Sequence, residues 1–220
     1  GLYDLHSQIN AWMKSLNNWL LVLSVLSCFG CSSPVHEDDR GCAFVSDSIQ
    51  YRVEFMSAGC VRILSFPEGD TLVTRRLVVD SEKPAFKDYK WEDTGQKLLF
   101  RTRELSVVFD KADVAFTFQE TSTGKLLLKE KGDRKARNFK RSVAGGEQCL
   151  EVTQRFVPTE DEAIYGLGQY QNGIMNYRGK SVLLLQANMD IVNPFLISTN
   201  GYGVLWDNYS STKFEDTKEG

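Results

Sequence analysis

The chain has 220 residues, a formal net charge of −3, and 42% apolar and 25% charged residues. That is enough to bury a core without metal or disulfide support. The mild acidity argues against nucleic acid as a partner, because neutralising phosphates takes clustered Lys and Arg. The densest basic stretch, Lys129 to Arg141, is interrupted by Glu130 and Asp133 and reads as a solvated loop.

The N-terminus has the order of a secretory leader. Lys14 follows Met13, Trp19 to Phe29 is almost wholly apolar, and Gly30, Cys31, Ser32 and Ser33 come next. The apolar run is about a dozen residues, too short for a helix across a bilayer of roughly 30 Å. A cysteine closing such a run resembles a bacterial lipoprotein signal, whose thiol is lipidated after cleavage. Cys31 is the first choice and Cys28 the second, although Phe29 and Leu26 are large for their places. An ordinary cleaved signal and a buried N-terminal helix are the alternatives. The expected organisation is a leader over 1–31, a linker over 32–46 with Pro34 and the acidic run Glu37-Asp38-Asp39, and a folded domain over 47–220. The lipid would be the protein's one link to a membrane, in the periplasm or outer membrane of a Gram-negative bacterium.

Cys42, Cys60 and Cys149 are too few and too far apart for a disulfide framework or a metal motif. One pair, or three free thiols, remain open. The histidines are His6 and His36, both outside the expected fold. A histidine-based triad or metal site is therefore excluded, and no cofactor is called for.

From about Ala43 the apolar period is two. In "YRVEFM" Tyr51, Val53 and Phe55 share a face, and Ser57-Ala58-Gly59 reads as a turn. "CVRILSF" follows, with Val61, Ile63 and Ser65 on one side, and Pro67-Glu68-Gly69-Asp70 closes it. "LLFRTRELSVVFD" alternates at Leu105, Val107 and Phe109, and "VAFTFQE" returns with Val114, Phe116 and Phe118 inward. "KLLLKE", "LEVTQRF", "SVLLLQA", "PFLIST" and "YGVLWDN" continue the strand-and-turn rhythm. No helix of two or more turns interrupts it, so the fold class is an all-β antiparallel sandwich.

"AIYGLGQYQNGIMNYRG", Ala163 to Gly179, tempts with Gly166-Leu167-Gly168. A dinucleotide loop needs a third glycine at 171, a parallel strand before it and a helix after it. Position 171 is Gln. The stretch reads as tight turns, with glycine supplying positive φ or close backbone approach.

Asp161 to Ser210, "DEAIYGLGQYQNGIMNYRGKSVLLLQANMDIVNPFLISTNGYGVLWDNYS", resembles the N-terminal galactose mutarotase-like β-sandwich of glycoside hydrolase family 31. "VRILSFPEG" and "RTRELSVVFDKADVAFTFQETSTGKLLLKE" are similar to earlier strands of that domain, so the resemblance spans about Asp47 to Phe214. It points to the α-xylosidase-like branch, with Gln169 where many relatives have Glu. It implies a retaining α-xylosidase or α-glucosidase, acting on an oligosaccharide or other α-glycoside. The two catalytic aspartates would sit in a (β/α)₈ barrel after the sandwich. No barrel strand is expected within these 220 residues, so no catalytic residue is assigned. Glu160-Asp161-Glu162 and Glu215-Asp216 read as solvated turn residues.

The resemblance also implies a sandwich loop that reaches the sugar. Its Asn-x-Asp pattern matches Asn188-Met189-Asp190. Asp190 would accept sugar hydroxyls and Asn188 would position it; the competing reading is that Asp190 caps a turn before Ile191. Tyr170 and Trp206 are stacking candidates, with Trp206 better placed in a core or an interface. Phe116, Phe118 and Phe195 read as core. Two rival classes are a stand-alone carbohydrate-binding lipoprotein and a purely structural surface module.

Overall fold

The computed structural model describes residues 34–70, 85–186 and 188–217, and every regular element among these is a strand paired antiparallel to its neighbours. The chain divides between Pro34 and Val35, and all the strands belong to the second unit. Cys28, Cys31 and the rest of the expected leader lie outside the described residues.

The first sheet runs in chain order through β1 (His36–Glu37), β2 (Cys42–Ser46), β3 (Ile49–Ser57) and β4 (Cys60–Pro67). Asp47 and Ser48, with φ of 53° and 58°, form the two-residue turn between β2 and β3. Positive φ at both positions matches the turn twist to the strands. The second sheet runs through β5 (Lys90–Asp93), β6 (Lys97–Arg101), β7 (Leu105–Asp110), β8 (Ala115–Glu120) and β9 (Leu126–Lys129).

The two sheets close on one core. Phe44, Tyr51, Val53 and Phe55 from the first meet Leu98, Phe100, Val107, Phe109 and Phe116 from the second. Phe44 and Phe109 approach to 4.8 Å between ring centroids, and Tyr51 and Phe109 to 5.1 Å, both tilted. Such pairs contribute beyond their buried area. Val61 and Ile63 stand opposite Phe55 and Val53 and pack on the same core. Phe118 is only partly buried against it.

Residues 35–46 correct the expected linker and move His36 into the fold. Cys42 and Phe44 are core residues, and β1 is clamped from the side. Both Arg52 guanidinium nitrogens donate to the Asp38 carboxylate, at 2.8 and 2.7 Å. Glu37 accepts from Tyr89 Oη at 2.9 Å and Trp91 Nε1 at 2.8 Å. The acidic run is thus a strap. The Arg52 bonds hold the Asp38 carboxyl far below its ordinary range, and Trp91 and Tyr89 do the same less strongly for Glu37.

The basic stretch is also corrected. The Arg137 side chain is only 4% exposed, and its guanidinium lies 5.2 Å from the Tyr51 ring centroid and 5.3 Å from that of Phe116. It forms a fork with Glu130, whose carboxylate also accepts the Phe116 N–H at 2.8 Å. Burial pushes the Glu130 carboxyl up, while Arg137 and the Phe116 amide oppose that. Arg137 opens a hairpin of β10 (Arg137–Ala144) and β11 (Glu147–Gln154), turned by Gly145 and Gly146.

A third sheet, in order β12 (Ile164–Gln169), β14 (Ile191–Ser198) and β15 (Tyr202–Leu205), stands beside a pair formed by β13 (Ser181–Leu184) and β16 (Thr212–Glu215). Ile164, Leu167, Tyr177 and Leu184 build a second core with Val192, Leu196 and Phe214 around it. Phe195, expected in a core, is 37% exposed on the opposite face of β14. Alternation assigns a residue to a face, but not which face is covered. Among the described residues Cys42 is buried and Cys60 and Cys149 are exposed, and these three are free thiols.

Two outcomes follow. Arg137→Met leaves a buried carboxylate unpaired and costs about 3–5 kcal/mol, read from the urea midpoint. Both strap carboxyls have depressed folded pKa values. Their stabilisation is complete above the unfolded pKa, about 4, and is lost as pH falls through the folded values. Amide exchange in β1 and β2 therefore accelerates as pH falls from about 5 to about 2, beyond the intrinsic pH effect, and Asp38→Asn flattens that response.

Candidate functional site

The glycine-rich stretch from Ala163 to Gly179 opens with a six-residue strand and is not turns throughout. Residues 164–169 form β12, and turns occupy 171–172 and 178–179. Gly166 and Gly168 sit at φ 106° and 119°, with Leu167 at φ 64° bulged between them and buried. A Cβ on Gly166 would lie 2.5 Å from the Phe195 carbonyl oxygen, and one on Gly168 only 2.0 Å from that of Ile191. No side chain fits in either place. The glycines let β12 lie directly against β14.

That contact positions the sugar candidates. Gln169 pairs with Ile191, so Tyr170, one residue on, lies near Asp190, one residue back. The Asp190 charge is among the causes that raise the Tyr170 phenol, after burial and Tyr177. Tyr170 Oη donates to the Leu167 carbonyl at 3.1 Å, which fixes its ring. Asp190 is half-buried, whereas Asn188 and Met189 are exposed at the loop tip. Gln186 Oε1 accepts the Val192 N–H at 3.2 Å and ties the loop shut across Asp190. Sequence reasoning missed Gln186, for which a lone amide before a polar loop is a faint signal.

Trp206 does not join this group. Its backbone N–H donates to the Pro194 carbonyl at 2.8 Å, four residues along the chain from Asp190 and so roughly 13 Å away. Leu205 opposite Phe195 puts Trp206 on the side of Leu196 and Val204, the face that builds the second core.

Glu160, Asp161 and Glu215 are exposed, as expected of solvated acids, but Glu162 and Asp216 are not. Glu162 is buried and gathers four donors: Ser198 Oγ and Tyr202 Oη at 2.5 Å, Thr159 Oγ1 at 2.7 Å and the Thr159 N–H at 3.3 Å. Burial alone would raise this carboxyl, but the hydrogen bonds together hold it below its ordinary range. Glu162 anchors the far end of β14 and the start of β15. Asp216 accepts from Arg178 Nη1 at 3.1 Å and from the Gly179 N–H, and so holds the chain after β16 to the turn before β13. These acids brace strands.

The architecture defines an antiparallel β-sandwich with a polar loop, carrying one half-buried carboxylate beside a tyrosine at a strand end. Residues 50–215 match the family model of the glycosyl hydrolase 31 N-terminal galactose mutarotase-like domain, and the chain belongs to that family. An α-xylosidase of Saccharolobus solfataricus is 34% identical over 74% of this chain and 23% of its own length. The crystal structure of a family 31 α-xylosidase from Xanthomonas citri superposes with a TM-score of 0.70 and 31% identity, covering 81% of this chain and 19% of that one. A family 31 α-xylosidase from a soil metagenome, at 24% identity and TM-score 0.69, shares the fold over 84% of this chain and 29% of its own. The chain therefore spans between about a fifth and three tenths of these relatives.

Gly168→Ala forces β12 off β14 and costs about 2–3 kcal/mol or more. Gly124→Ala, at φ 71° with open space around it, costs about 1 kcal/mol. Chemical denaturation of both variants checks the difference; equal losses would show that the close strand contact is not the cause.

Proposed function

We propose that the full-length protein is a retaining glycoside hydrolase of α-xylosidase or α-glucosidase type, and that this chain is its N-terminal, non-catalytic domain. The observation that carries the reading is the 34% identity to an α-xylosidase across most of the chain. The placement of Asp190 beside Tyr170 supports it. In this reading the chemistry belongs to two carboxylates about 5–5.5 Å apart in a (β/α)₈ barrel supplied by the rest of the protein. The sandwich packs on that barrel. Its loop contributes Asp190, whose ionised carboxylate accepts one or two sugar hydroxyls in charge-assisted hydrogen bonds. Asn188 stands at the loop tip and Tyr170 offers a ring edge beside the carboxylate. Orientation of the sugar, not proton transfer, is the role of this loop. The stand-alone binding module finds less support, because the Saccharolobus and Xanthomonas α-xylosidases are several times longer than this chain.

The order of basic start, apolar run and cysteine supports a second proposal, a lipid anchor at Cys31 or Cys28 that holds the enzyme in the periplasm or at the outer membrane. Labelled palmitate incorporated into the wild type and lost in the matching Cys→Ser variant checks it.

The full-length protein should release the aryl group from an aryl α-xyloside or α-glucoside. Asp190→Ala should lower kcat/KM about 100-fold with an unchanged urea midpoint. A folded protein that cleaves neither substrate refutes the hydrolase, and unchanged kinetics remove Asp190 from the site.

A further inference from the structure

The sheet β12–β14–β15 has a second apolar face that nothing in the described residues covers. Five large side chains share it: Tyr165 (39% exposed), Ile191 (56%), Phe195 (37%), Ile197 (51%) and Leu205 (41%). The register places them together. Phe195 stands opposite Leu205, and Ile197 opposite both Tyr165 and Gly203. Ile191 falls on the same side by alternation along β14. The Phe195 ring folds over Gly203, where an added Cβ would meet it at 2.9 Å. The polar positions between these residues are the uncharged Gln169 and Asn193.

The reverse face already has a partner. Val192 and Leu196 point into the second core with Ile164. β14 is therefore apolar on both sides, the composition of a strand held between two layers. A strand with one wet face looks different: β16 sets Lys213 and Glu215 outward and buries Phe214 against the second core. A charge-free apolar surface of this kind has the character of an obligate interface, a core cut in half, and not of a transient polar contact.

We infer that this face is an intramolecular interface, covered in the full-length protein by polypeptide outside residues 1–220. The inference rests on the reading of the chain as one domain of a longer enzyme and names the face by which that domain docks. Relatives supply the material for it, since the chain spans 23% of the archaeal α-xylosidase and 19% of the Xanthomonas one. It also ties docking to the sugar loop. Ile191 belongs to the covered face and directly follows Asp190, so the layer that packs on β14 fixes the base of the loop.

The test is thiol labelling of the full-length protein in a Cys60→Ser, Cys149→Ser background, read site by site by peptide mass spectrometry. Ile197→Cys probes the face. Val143→Cys, on the β10–β11 hairpin and 67% exposed at that position, is the reference. In the folded monomer Ile197→Cys should react with a bulky maleimide about 100-fold more slowly than Val143→Cys, and the two should react alike in urea. Leu205→Cys gives an independent reading of the same face if the first variant misfolds. Equal rates in the folded protein overturn the inference. Protection that appears only in a dimer and vanishes on dilution overturns it too, in favour of a second copy. Protection in a monomer that cleaves no α-glycoside upholds the interface and sinks the proposed chemistry instead.

Discussion

The close approach of β12 and β14 is the constraint on which the site depends. Two glycines with positive φ leave no room for a Cβ against the facing carbonyls, so the strands meet at backbone contact. That contact brings the end of β12 to the start of β14. It sets Tyr170 beside Asp190 and leaves the Asn188–Asp190 turn at the tip. The price of this geometry is the strained Leu167, whose buried side chain in the second core offsets the strain.

Stability and presentation are separated in space. The first core is aromatic, shared by two sheets, and locked by the Arg137–Glu130 fork under Tyr51 and Phe116. A buried ion pair adds little over an apolar pair, but it makes the loss of either partner severe. The third sheet carries the loop and leaves one apolar face open. Glu162 ties its far end through Ser198 and Tyr202 and is itself held by Thr159, so the sheet is anchored away from the loop and close-packed at the loop itself.

Much of the fold was legible in the sequence because antiparallel strands with one dry face show a period of two. Tyr51, Val53, Phe55, Leu105, Val107 and Phe109 were assigned to shared faces, and all six are buried. Four readings failed, three where composition misleads and one where alternation does. The run Glu37-Asp38-Asp39 looks like linker, yet long-range donors from Arg52, Tyr89 and Trp91 turn it into a strap. Arg137 and Glu162 sit in charged runs, and only tertiary packing distinguishes the buried member from its solvated neighbours. Phe195 obeys the alternation, but its face is open. At the site, Asn188-Met189-Asp190 and Tyr170 were named from resemblance and residue type. Their proximity depends on the β12–β14 register, and the clamp by Gln186 forms only once the loop has folded back on Val192.

The central proposal is that this sandwich would bind sugar through one loop and leave bond cleavage to the rest of the protein. A crystal structure of the full-length protein with a bound α-xyloside or α-glucoside tests it most directly. The account requires an Asp190 carboxylate oxygen about 2.5–2.8 Å from a sugar hydroxyl, with the scissile bond flanked by carboxylates from outside residues 1–220. A sugar bound with Asp190 beyond water-mediated reach, or a catalytic carboxylate from within the sandwich, would contradict it.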